Sequence, residues 1–271
     1  MAVLTPFRAL RPEPSAAPTV ASVPYDVVNT EEARALAAEN PLSFLRVTRA
    51  EVDLPPETNP YGASVYAQAV RNFEDLKRAA PLLIDDTPSL YFYRLRMGSH
   101  TQTGLAGTFS VDEYNRDLIK KHEKTRRDKE DDRTRHIIEL RAQTGVVFLT
   151  HAASPAVSAV AARVTTGAPI YDFTAPDGVV HTIWRVTGAD MNALVAAFAA
   201  MPALYIADGH HRVASAARAC AELRATGDQP ATRFIAVAFP DDQVQILPYN
   251  RVVKDLAGRT PEAFLSDLAA R

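Results

Sequence analysis

The spacing of apolar residues along the chain predicts a succession of helices and short strands. Between positions 63 and 80, apolar side chains recur every three to four residues, as on the buried face of a helix. The segments 90–97 and 103–111 are rich in apolar and aromatic residues and flank Gly98-Ser99-His100, which is typical of a β-hairpin. Further helices are predicted at 30–38, 190–200 and 210–224, and further strands at 145–150, 179–184, 204–207 and 233–239. This mixture predicts an α+β fold with mixed or antiparallel sheets and packed helices.

Two finer predictions follow from cap and turn residues. Thr30 precedes Glu31 and Glu32, so we expect the Thr30 side chain to cap the helix at 30–38. Pro240-Asp241-Asp242 separates two apolar segments, so 233–239 and 244–247 are expected to pair as a second hairpin.

Composition excludes several classes of protein. The chain has 271 residues, of which 47% are hydrophobic, so it can bury a sizeable core. A formal net charge of −2 argues against a protein that coats a polyanion. Cys220 is the single cysteine, which excludes a disulfide framework and suits a reducing compartment. With no signal-peptide core and no run of eighteen apolar residues, we expect a cytoplasmic protein with no membrane segment.

The strongest candidate site is the junction between the strand at 204–207 and the helix at 210–224. There Asp208 and Gly209 are followed by His210, His211 and Arg212. Glycine permits a sharp turn and the close approach of a ligand, and the free N–H groups at the start of a helix favour an anion. Arg212 adds a donor for phosphate, and Asp208 suits a hard ion such as Mg²⁺. The alternative is that Asp208 caps the helix and the histidines are surface residues.

A second candidate is the run at 120–135, which contains eight basic and five acidic residues. His122 and Glu123 begin the pattern of a zinc-protease helix, but the second histidine would stand where the chain has Arg126. Glu123, surrounded by cations, is a candidate general base, and Lys121 and Arg126 are candidates to neutralise a transferring phosphoryl group. The alternative is a solvent-exposed helix with salt bridges.

Other motifs carry less information. Pro24-Tyr25-Asp26 and Pro248-Tyr249-Asn250-Arg251 are both interpreted as structural corners with a hydrogen-bonded tyrosine. Neither a Gly-x-Gly nor a Gly-Lys sequence occurs, which disfavours an ordinary ATP-binding fold.

These motifs together resemble a widespread prokaryotic family that is catalogued as a domain of unknown function. The resemblance covers nearly the whole chain. Full-length members are longer, and the chain ends within a helical pattern, so completeness at the C-terminus stays open. The resemblance is carried by Pro6-Phe7-Arg8-Ala9-Leu10-Arg11-Pro12, Pro24-Tyr25-Asp26-Val27, Lys120-Lys121-His122-Glu123-Lys124-Thr125-Arg126, Arg133-Thr134-Arg135-His136, Asp208-Gly209-His210-His211-Arg212 and Pro248-Tyr249-Asn250-Arg251-Val252.

A more local resemblance links the Asp-Gly-His-His-Arg and Lys-Lys-His-Glu segments to free L-serine kinases of the ParB/sulfiredoxin fold. It implies a ParB/sulfiredoxin-like core in which the segment from Gly209 to Arg212 holds the donor phosphates. It further implies that Asp208 serves the metal or the substrate hydroxyl and that Glu123 is the general base. The resemblance also implies pyrophosphate as the phosphoryl donor. Eighty-four residues lie between Glu123 and Asp208, so their meeting in one site is an inference.

The resulting hypothesis divides the chain into an N-terminal α+β region, 1–115, and a ParB/sulfiredoxin-like catalytic region, 116–271. Its function would be Mg²⁺-dependent phosphoryl transfer from pyrophosphate, favoured over ADP and ATP, to the hydroxyl of free L-serine. The alternatives are a ParB-like nucleotide or nucleic-acid-binding regulator and a metal-dependent phosphate-ester hydrolase. The balanced charge disfavours nucleic acid as a partner. The oligomeric state and the roles of Asp26 and Arg251 stay open.

Overall fold

The computed structural model describes residues 2–80, 82–248, 250 and 252–270. The strands are β1 (Leu4–Thr5), β2 (Leu10–Pro12), β3 (Leu82–Ile84), β4 (Leu90–Met97), β5 (His100–Ser110), β6 (Ile119–Lys120), β7 (Val147–His151), β8 (Tyr171–Thr174), β9 (Val180–Val186), β10 (Leu204–Asp208) and β11 (Arg233–Pro240). The helices are α1 (Ala17–Val20), α2 (Thr30–Ala37), α3 (Leu45–Thr48), α4 (Ala63–Ala79), α5 (Val111–Asn115), α6 (Arg127–Leu140), α7 (Pro155–Val164), α8 (Gly188–Ala199), α9 (His210–Glu222) and α10 (Pro261–Ala269).

Among the described residues, nine strands form one mixed sheet with the order β6-β10-β7-β11-β5-β4-β9-β8. The pairs β6–β10 and β7–β11 are parallel, and the other pairs are antiparallel. The ninth strand, β1, pairs with β5 at Thr108 and Phe109, beyond the segment of β5 that pairs with β4. A second sheet consists of β2 and β3. The predicted α+β fold class is therefore confirmed.

The predicted hairpin and the predicted long helix are both present. β4 and β5 pair from Met97 and His100 back to Tyr91 and Ala106, so Gly98 and Ser99 form the connecting turn. Gly98 has φ = +59°, a conformation that glycine adopts without a steric penalty. In α4 the predicted apolar positions are buried except Val70, which is half-buried: Val65, Tyr66, Ala69, Phe73 and Leu76.

Two hydrophobic clusters account for most of the buried surface. The larger cluster packs α7, α8 and α9 against the sheet through residues such as Val160, Leu194, Val213 and Leu149. The second cluster surrounds α4 and includes Val47 from α3 and Leu140 from α6. Burial of apolar area on this scale is the main favourable contribution to folding. Of the described helices, none is long and apolar enough to cross a membrane.

The cap of α2 differs from the prediction. Asn29, not Thr30, is the N-cap: its side-chain oxygen accepts from the Glu32 N–H, and the Glu32 carboxylate accepts from the Asn29 N–H. This reciprocal capping box satisfies two backbone donors at once. Thr30 is already inside the helix, so the prediction was wrong by one residue.

The predicted hairpin partner at 244–247 does not form a strand. β11 pairs with β5 along one edge and with β7 along the other. Because both edges of β11 are occupied, no backbone donors or acceptors remain for a third strand. The chain instead makes a 3₁₀ turn at Asp241–Gln243 and continues with Ile246 and Leu247 exposed.

The sheet takes strands from both sides of residue 115. β1, β4 and β5 precede that position, and the second half of β5, from Leu105 to Ser110, pairs with β11 from the second region. The division of the chain into regions 1–115 and 116–271 stays a prediction.

Candidate functional site

The turn after β10 is built around Gly209. Its φ of +92° lies in the region that glycine adopts and other residues avoid, and it reverses the chain between the strand and α9. Gly209 itself is the N-cap residue of α9. Within the described residues, no side-chain hydrogen bond caps the first turn of this helix. Asp208 therefore does not cap α9. Its carboxylate is exposed and lies 3.2 Å from the Arg212 Nη2 atom.

The basic segment is brought to this turn by a parallel pair of short strands. Leu204 and Tyr205 of β10 pair with Ile119 and Lys120 of β6. Since the two strands run in the same direction, the loop at 121–126 leaves the sheet at the same end as residues 208–212. Glu123 and the Asp208 turn thus lie at the same end of the sheet despite their separation in sequence.

Both adjacent histidines hold this loop. The His210 Nε2 atom accepts from the His122 N–H at 3.4 Å, and the two imidazole rings meet edge to face at 4.4 Å. The His211 Nε2 atom accepts from the Arg126 N–H at 3.0 Å. Two histidines at the start of α9 therefore fasten the loop that carries Glu123.

Glu123 contacts the other nitrogen of His210. The distance from Glu123 Oε2 to His210 Nδ1 is 3.6 Å, and the glutamate side chain is 56% exposed. Burial lowers the pKa of His210, and neighbouring His122 lowers it further, against the opposing charges of Glu123 and Asp208. A neutral His210 that accepts at Nε2 carries its proton at Nδ1, facing the Glu123 carboxylate. This contact places the His210 Nδ1–H beside an exposed carboxylate that a ligand can reach.

The Arg212 side chain is 10% exposed and is held by carboxylates. Its Nη2 atom lies 2.6 Å from Asp26 Oδ2 as well as close to Asp208, and its Nη1 donates to the Val146 carbonyl at 2.8 Å. Burial lowers its pKa, but the charge and hydrogen bond of Asp26 raise it more, so the net shift is upward. A side chain on Gly145 would place its Cβ 3.1 Å from Arg212 Cδ, so glycine there gives the arginine room.

Tyr25 and Asp26 belong to the site, although the sequence interpretation made their turn a structural corner. The Arg133 guanidinium carbon lies 4.4 Å from the centroid of the Tyr25 ring, and that of Arg212 lies 5.9 Å from it. Burial raises the pKa of Tyr25. The one signal in the sequence was the Pro-Tyr-polar motif itself. The matching motif at 248–251 includes Tyr249 and Arg251, which lie outside the described residues.

Lys121 and Arg126, two of the predicted phosphate ligands, contact other side chains of the protein. Lys121 Nζ lies 4.1 Å from the centroid of the Tyr114 ring, and the exposed Arg126 side chain pairs with Asp128 at 2.7 Å. The remainder of the basic run forms α6, where Arg135 lies 3.6 Å from Glu139 and Asp131 pairs with Arg218 of α9 at 2.6 Å. The salt-bridged helix of the alternative is therefore present, and the role of the preceding loop at 121–126 in a site stays a prediction.

The ligating atoms available at the site are oxygens of exposed carboxylates and nitrogens of two imidazoles, of which that of His210 is buried. Asp26 and Asp208 converge on one guanidinium nitrogen, Arg212 Nη2. In the described part of the chain, no three histidine, cysteine or carboxylate side chains form a metal-binding group. A Mg²⁺ ion is commonly held by one or two carboxylates together with substrate phosphates, and exposed Asp208 fits that arrangement.

The chain is thus an α+β protein with a glycine turn at one end of a mixed sheet. At this turn two histidines bind the neighbouring loop, and the carboxylates of Glu123 and Asp208 are exposed. The model of the family described as "Protein of unknown function (DUF1015)" matches residues 4–271, and the chain belongs to that family. No curated protein and no solved structure matches the chain.

Proposed function

We propose that the protein is a small-molecule phosphotransferase that moves a phosphoryl group from pyrophosphate to the hydroxyl of free L-serine. The observation that carries this proposal is the contact of Glu123 with His210, beside the Asp208-Gly209 turn. It supports a general base and an anion-binding loop within one site. The resemblance to ParB/sulfiredoxin-fold serine kinases supplies the donor and the acceptor.

In the proposed reaction the serine Oγ attacks the terminal phosphorus of pyrophosphate. The Oγ–P bond forms, the bond from that phosphorus to the bridging oxygen breaks, and orthophosphate leaves. The serine hydroxyl proton passes to the Glu123 carboxylate, which His210 Nδ1 orients. Phosphoryl transfer depends mainly on positioning and charge neutralisation, which suits a site built from a rigid turn and a held loop.

Mg²⁺ would be held by Asp208 and would neutralise charge on the transferring phosphate. The first N–H groups of α9 face the same end, where the helix dipole favours an anion by roughly 0.3–1 kcal/mol. Arg212 serves a different purpose in this scheme. By binding Asp26, Asp208 and the Val146 carbonyl, it fixes the positions of the carboxylates rather than offering all its donors to phosphate.

The test is ³¹P NMR of the protein with Mg²⁺ and L-serine, with pyrophosphate, ADP or ATP in separate samples. We expect a phosphoserine resonance with pyrophosphate. Orthophosphate without phosphoserine would indicate the hydrolase instead. No turnover with any donor, together with salt-dependent binding of duplex DNA, would indicate the regulator.

Two variants test the residues. Asp208→Asn and Glu123→Gln should each lower turnover by about 100-fold or more, because each removes a charged group from the reacting centre. Both side chains are more than half exposed, so we expect the variants to fold. Asp228→Asn is the matched control, since Asp228 is 96% exposed and lies beyond the far end of α9. Wild-type turnover in Asp208→Asn would overturn the assignment.

A further inference from the structure

Asp26 lies in a turn that is anchored against the start of α9. Tyr25 and Asp26 are the two central residues of a β-turn, which is closed by a backbone hydrogen bond of 3.3 Å. The guanidinium groups of Arg133 and Arg212 both contact the Tyr25 ring. The turn and the ring contacts together hold Asp26 in place before any ligand binds.

One oxygen of the Asp26 carboxylate has no partner within the described residues. Oδ2 accepts from Arg212 Nη2 at 2.6 Å, and it is Oδ1 that lacks a donor in this part of the chain. The Asp26 side chain is 39% exposed, so a ligand can reach it. Arg212 also has a second counter-ion, because Asp208 Oδ2 lies 3.2 Å from the same nitrogen. Asp26 therefore offers more than the charge of Arg212 requires.

The local charges favour a cation beside Asp26. The carboxylates of Asp26 and Asp208 share one guanidinium, so one negative charge is left over. Arg133, the other cation beside Tyr25, pairs with Asp132 at 2.7 Å. An anion would be repelled by Asp26, whereas an ammonium group supplies both the missing positive charge and a hydrogen-bond donor for Oδ1.

A divalent metal ion suits this position less well. Mg²⁺ takes oxygen ligands at about 2.0–2.1 Å in octahedral geometry. A Mg²⁺ ion that bridged Asp26 and Asp208 would lie against the Arg212 guanidinium, which already contacts an oxygen of each. An ammonium group needs only the outer oxygen of Asp26, and it forms a charge-assisted hydrogen bond of about 2.8 Å there.

Glu123 and Asp26 lie on opposite sides of the turn at Asp208. The strand order β6-β10-β7 places β10 in the middle, and the start of β7 lies where β10 ends because the two strands are antiparallel. The loop with Glu123 follows β6, whereas Arg212, which holds Asp26, binds the Val146 carbonyl beside the start of β7. Two strand spacings are about 10 Å. Two hydrogen bonds of about 2.8 Å with a short amino alcohol between them span a similar distance.

We infer that Asp26 binds the ammonium group of the acceptor, and that the acceptors of this site carry the ammonium and hydroxyl groups on adjacent carbons. The ammonium group donates to Asp26 Oδ1 while the hydroxyl lies at Glu123. Asp26 is then a binding residue that selects the acceptor and moves no proton. The assignment rests on the proposed function, which supplies the position of the reacting hydroxyl.

Titration calorimetry with the whole protein tests this assignment by comparing L-serine with 3-hydroxypropanoate, which has the hydroxyl and the carboxylate but no ammonium group. Mg²⁺ and methylenediphosphonate are present, since the carbon bridge of this pyrophosphate analogue prevents transfer. We expect the wild type to bind L-serine about tenfold or more tightly than 3-hydroxypropanoate, because only L-serine makes the charge-assisted hydrogen bond. Equal affinity for the two compounds would overturn the assignment without any variant.

Asp26→Asn removes the charge but keeps an oxygen that accepts from Arg212, so we expect it to fold. It should weaken binding of L-serine by about tenfold or more and leave binding of 3-hydroxypropanoate within about twofold of the wild type. Asp26→Glu keeps the charge and should keep the preference for L-serine. A purely structural role would weaken both compounds equally, and a metal-ligand role would raise the Mg²⁺ concentration that both require. Either result would overturn the assignment.

Asp190→Asn is the matched control. Asp190 on α8 also pairs with an arginine, Arg163, and its side chain is 31% exposed. This variant should bind both compounds as the wild type does.

Turnover measured by ³¹P NMR separates this assignment from the proposed function. Phosphoserine formation by the wild type, with unchanged L-serine affinity in Asp26→Asn, would support phosphoryl transfer and overturn the ammonium site. Binding of L-serine that depends on Asp26, with no phosphoserine from any donor, would support the ammonium site and overturn the phosphotransferase. Where both hold, Asp26→Asn should raise the KM for L-serine about tenfold or more and change kcat less.

Discussion

Arg212 shows how a single residue acquires a task that its local sequence does not reveal. Its place at the start of a helix after Asp-Gly predicts a phosphate ligand. In the fold its side chain, which is 10% exposed, lies between Asp26, 186 residues away, and the Val146 carbonyl. A guanidinium with so little access to water requires compensating partners, and a phosphate ligand would have to compete with both. Arg212 therefore joins the N-terminal turn to α9.

His136 provides a prediction at the scale of one residue. It is 3% exposed, with Nε2 at 3.0 Å from the Val47 carbonyl oxygen and Nδ1 at 3.4 Å from Thr144 Oγ1. Burial, with a contribution from Arg133, lowers its pKa from 6.5 to about 4. Between about pH 6.5 and pH 4, His136 therefore binds a proton in the unfolded chain but stays neutral in the folded chain. The contribution of His136 to stability is full above about pH 6.5 and is lost as the pH falls towards 4.

From these two pKa values, lowering the pH from about 7 to about 5 should remove about 2 kcal/mol of unfolding free energy through His136. Urea unfolding at both pH values measures the loss. In His136→Gln the loss should be smaller by about this amount, whereas His100→Gln, on the hairpin, should keep it in full. An equal loss in all three proteins would contradict the assignment of the neutral form to His136.

At the residue scale the sequence was most informative where the residue type itself determines the local backbone conformation. The turn at Gly209 was predicted, and a residue with positive φ is found there. Tyr25 and Asp26 were interpreted as a corner because their partners, Arg133 and Arg212, come from distant segments. Long-range ion pairs leave no periodicity in the sequence, so this half of the site was missed.

At the scale of elements, the periodic segments were predictable and their pairing was not. The apolar spacing of α4, β4 and β5 follows directly from burial of one face. The segment 244–247 has the composition of a strand, but β5 and β7 already occupy both edges of β11. Availability of a free edge depends on the whole sheet, which a local pattern does not contain.

The turn between β10 and α9 gives a prediction at this scale. Gly209→Ala places a Cβ 3.2 Å from Arg212 Nη1 and 3.4 Å from Val147 Cα, on a backbone with φ of +92°. We expect a loss of about 1–2 kcal/mol of unfolding free energy from backbone strain, with a further loss from displacement of Arg212. Chemical denaturation measures both.

The matched variant is Gly178→Ala, where φ is +82° and nothing lies within 4 Å of the new Cβ. It carries the strain without the contacts. The difference between the two variants therefore isolates the packing of the turn on Arg212 and β7. If Gly209→Ala were no less stable than Gly178→Ala, the close packing of this turn would have no energetic weight.

At the scale of the molecule, α6 connects the two hydrophobic clusters. Leu140 packs in the cluster around α4, while Ile137 packs against the larger cluster of the sheet. The Tyr66 hydroxyl of α4 donates to Asp132 at 2.8 Å, and Asp131 pairs with Arg218 of α9. The helix α6 thus makes side-chain contacts with both hydrophobic clusters. Unfolding of either cluster would therefore expose apolar surface of the other.

This arrangement predicts that the protein unfolds in one cooperative transition. Trp184, the single tryptophan, is buried on β9 in the larger cluster, so its fluorescence reports that cluster alone. Far-UV circular dichroism reports helices of both clusters. The two signals should give the same urea midpoint, because a two-state transition has no populated intermediate.

A variant in the distant cluster makes this prediction sharper. Leu76→Ala removes a buried side chain of α4 and should cost about 2–5 kcal/mol, and Val65→Ala is a milder change on the same helix. If the clusters are coupled through α6, both variants lower the midpoint of Trp184 fluorescence as much as that of circular dichroism. A fluorescence midpoint that stays in place while the circular dichroism shifts would show two independent units. In that case the contacts of α6 would not transmit the loss of one core to the other.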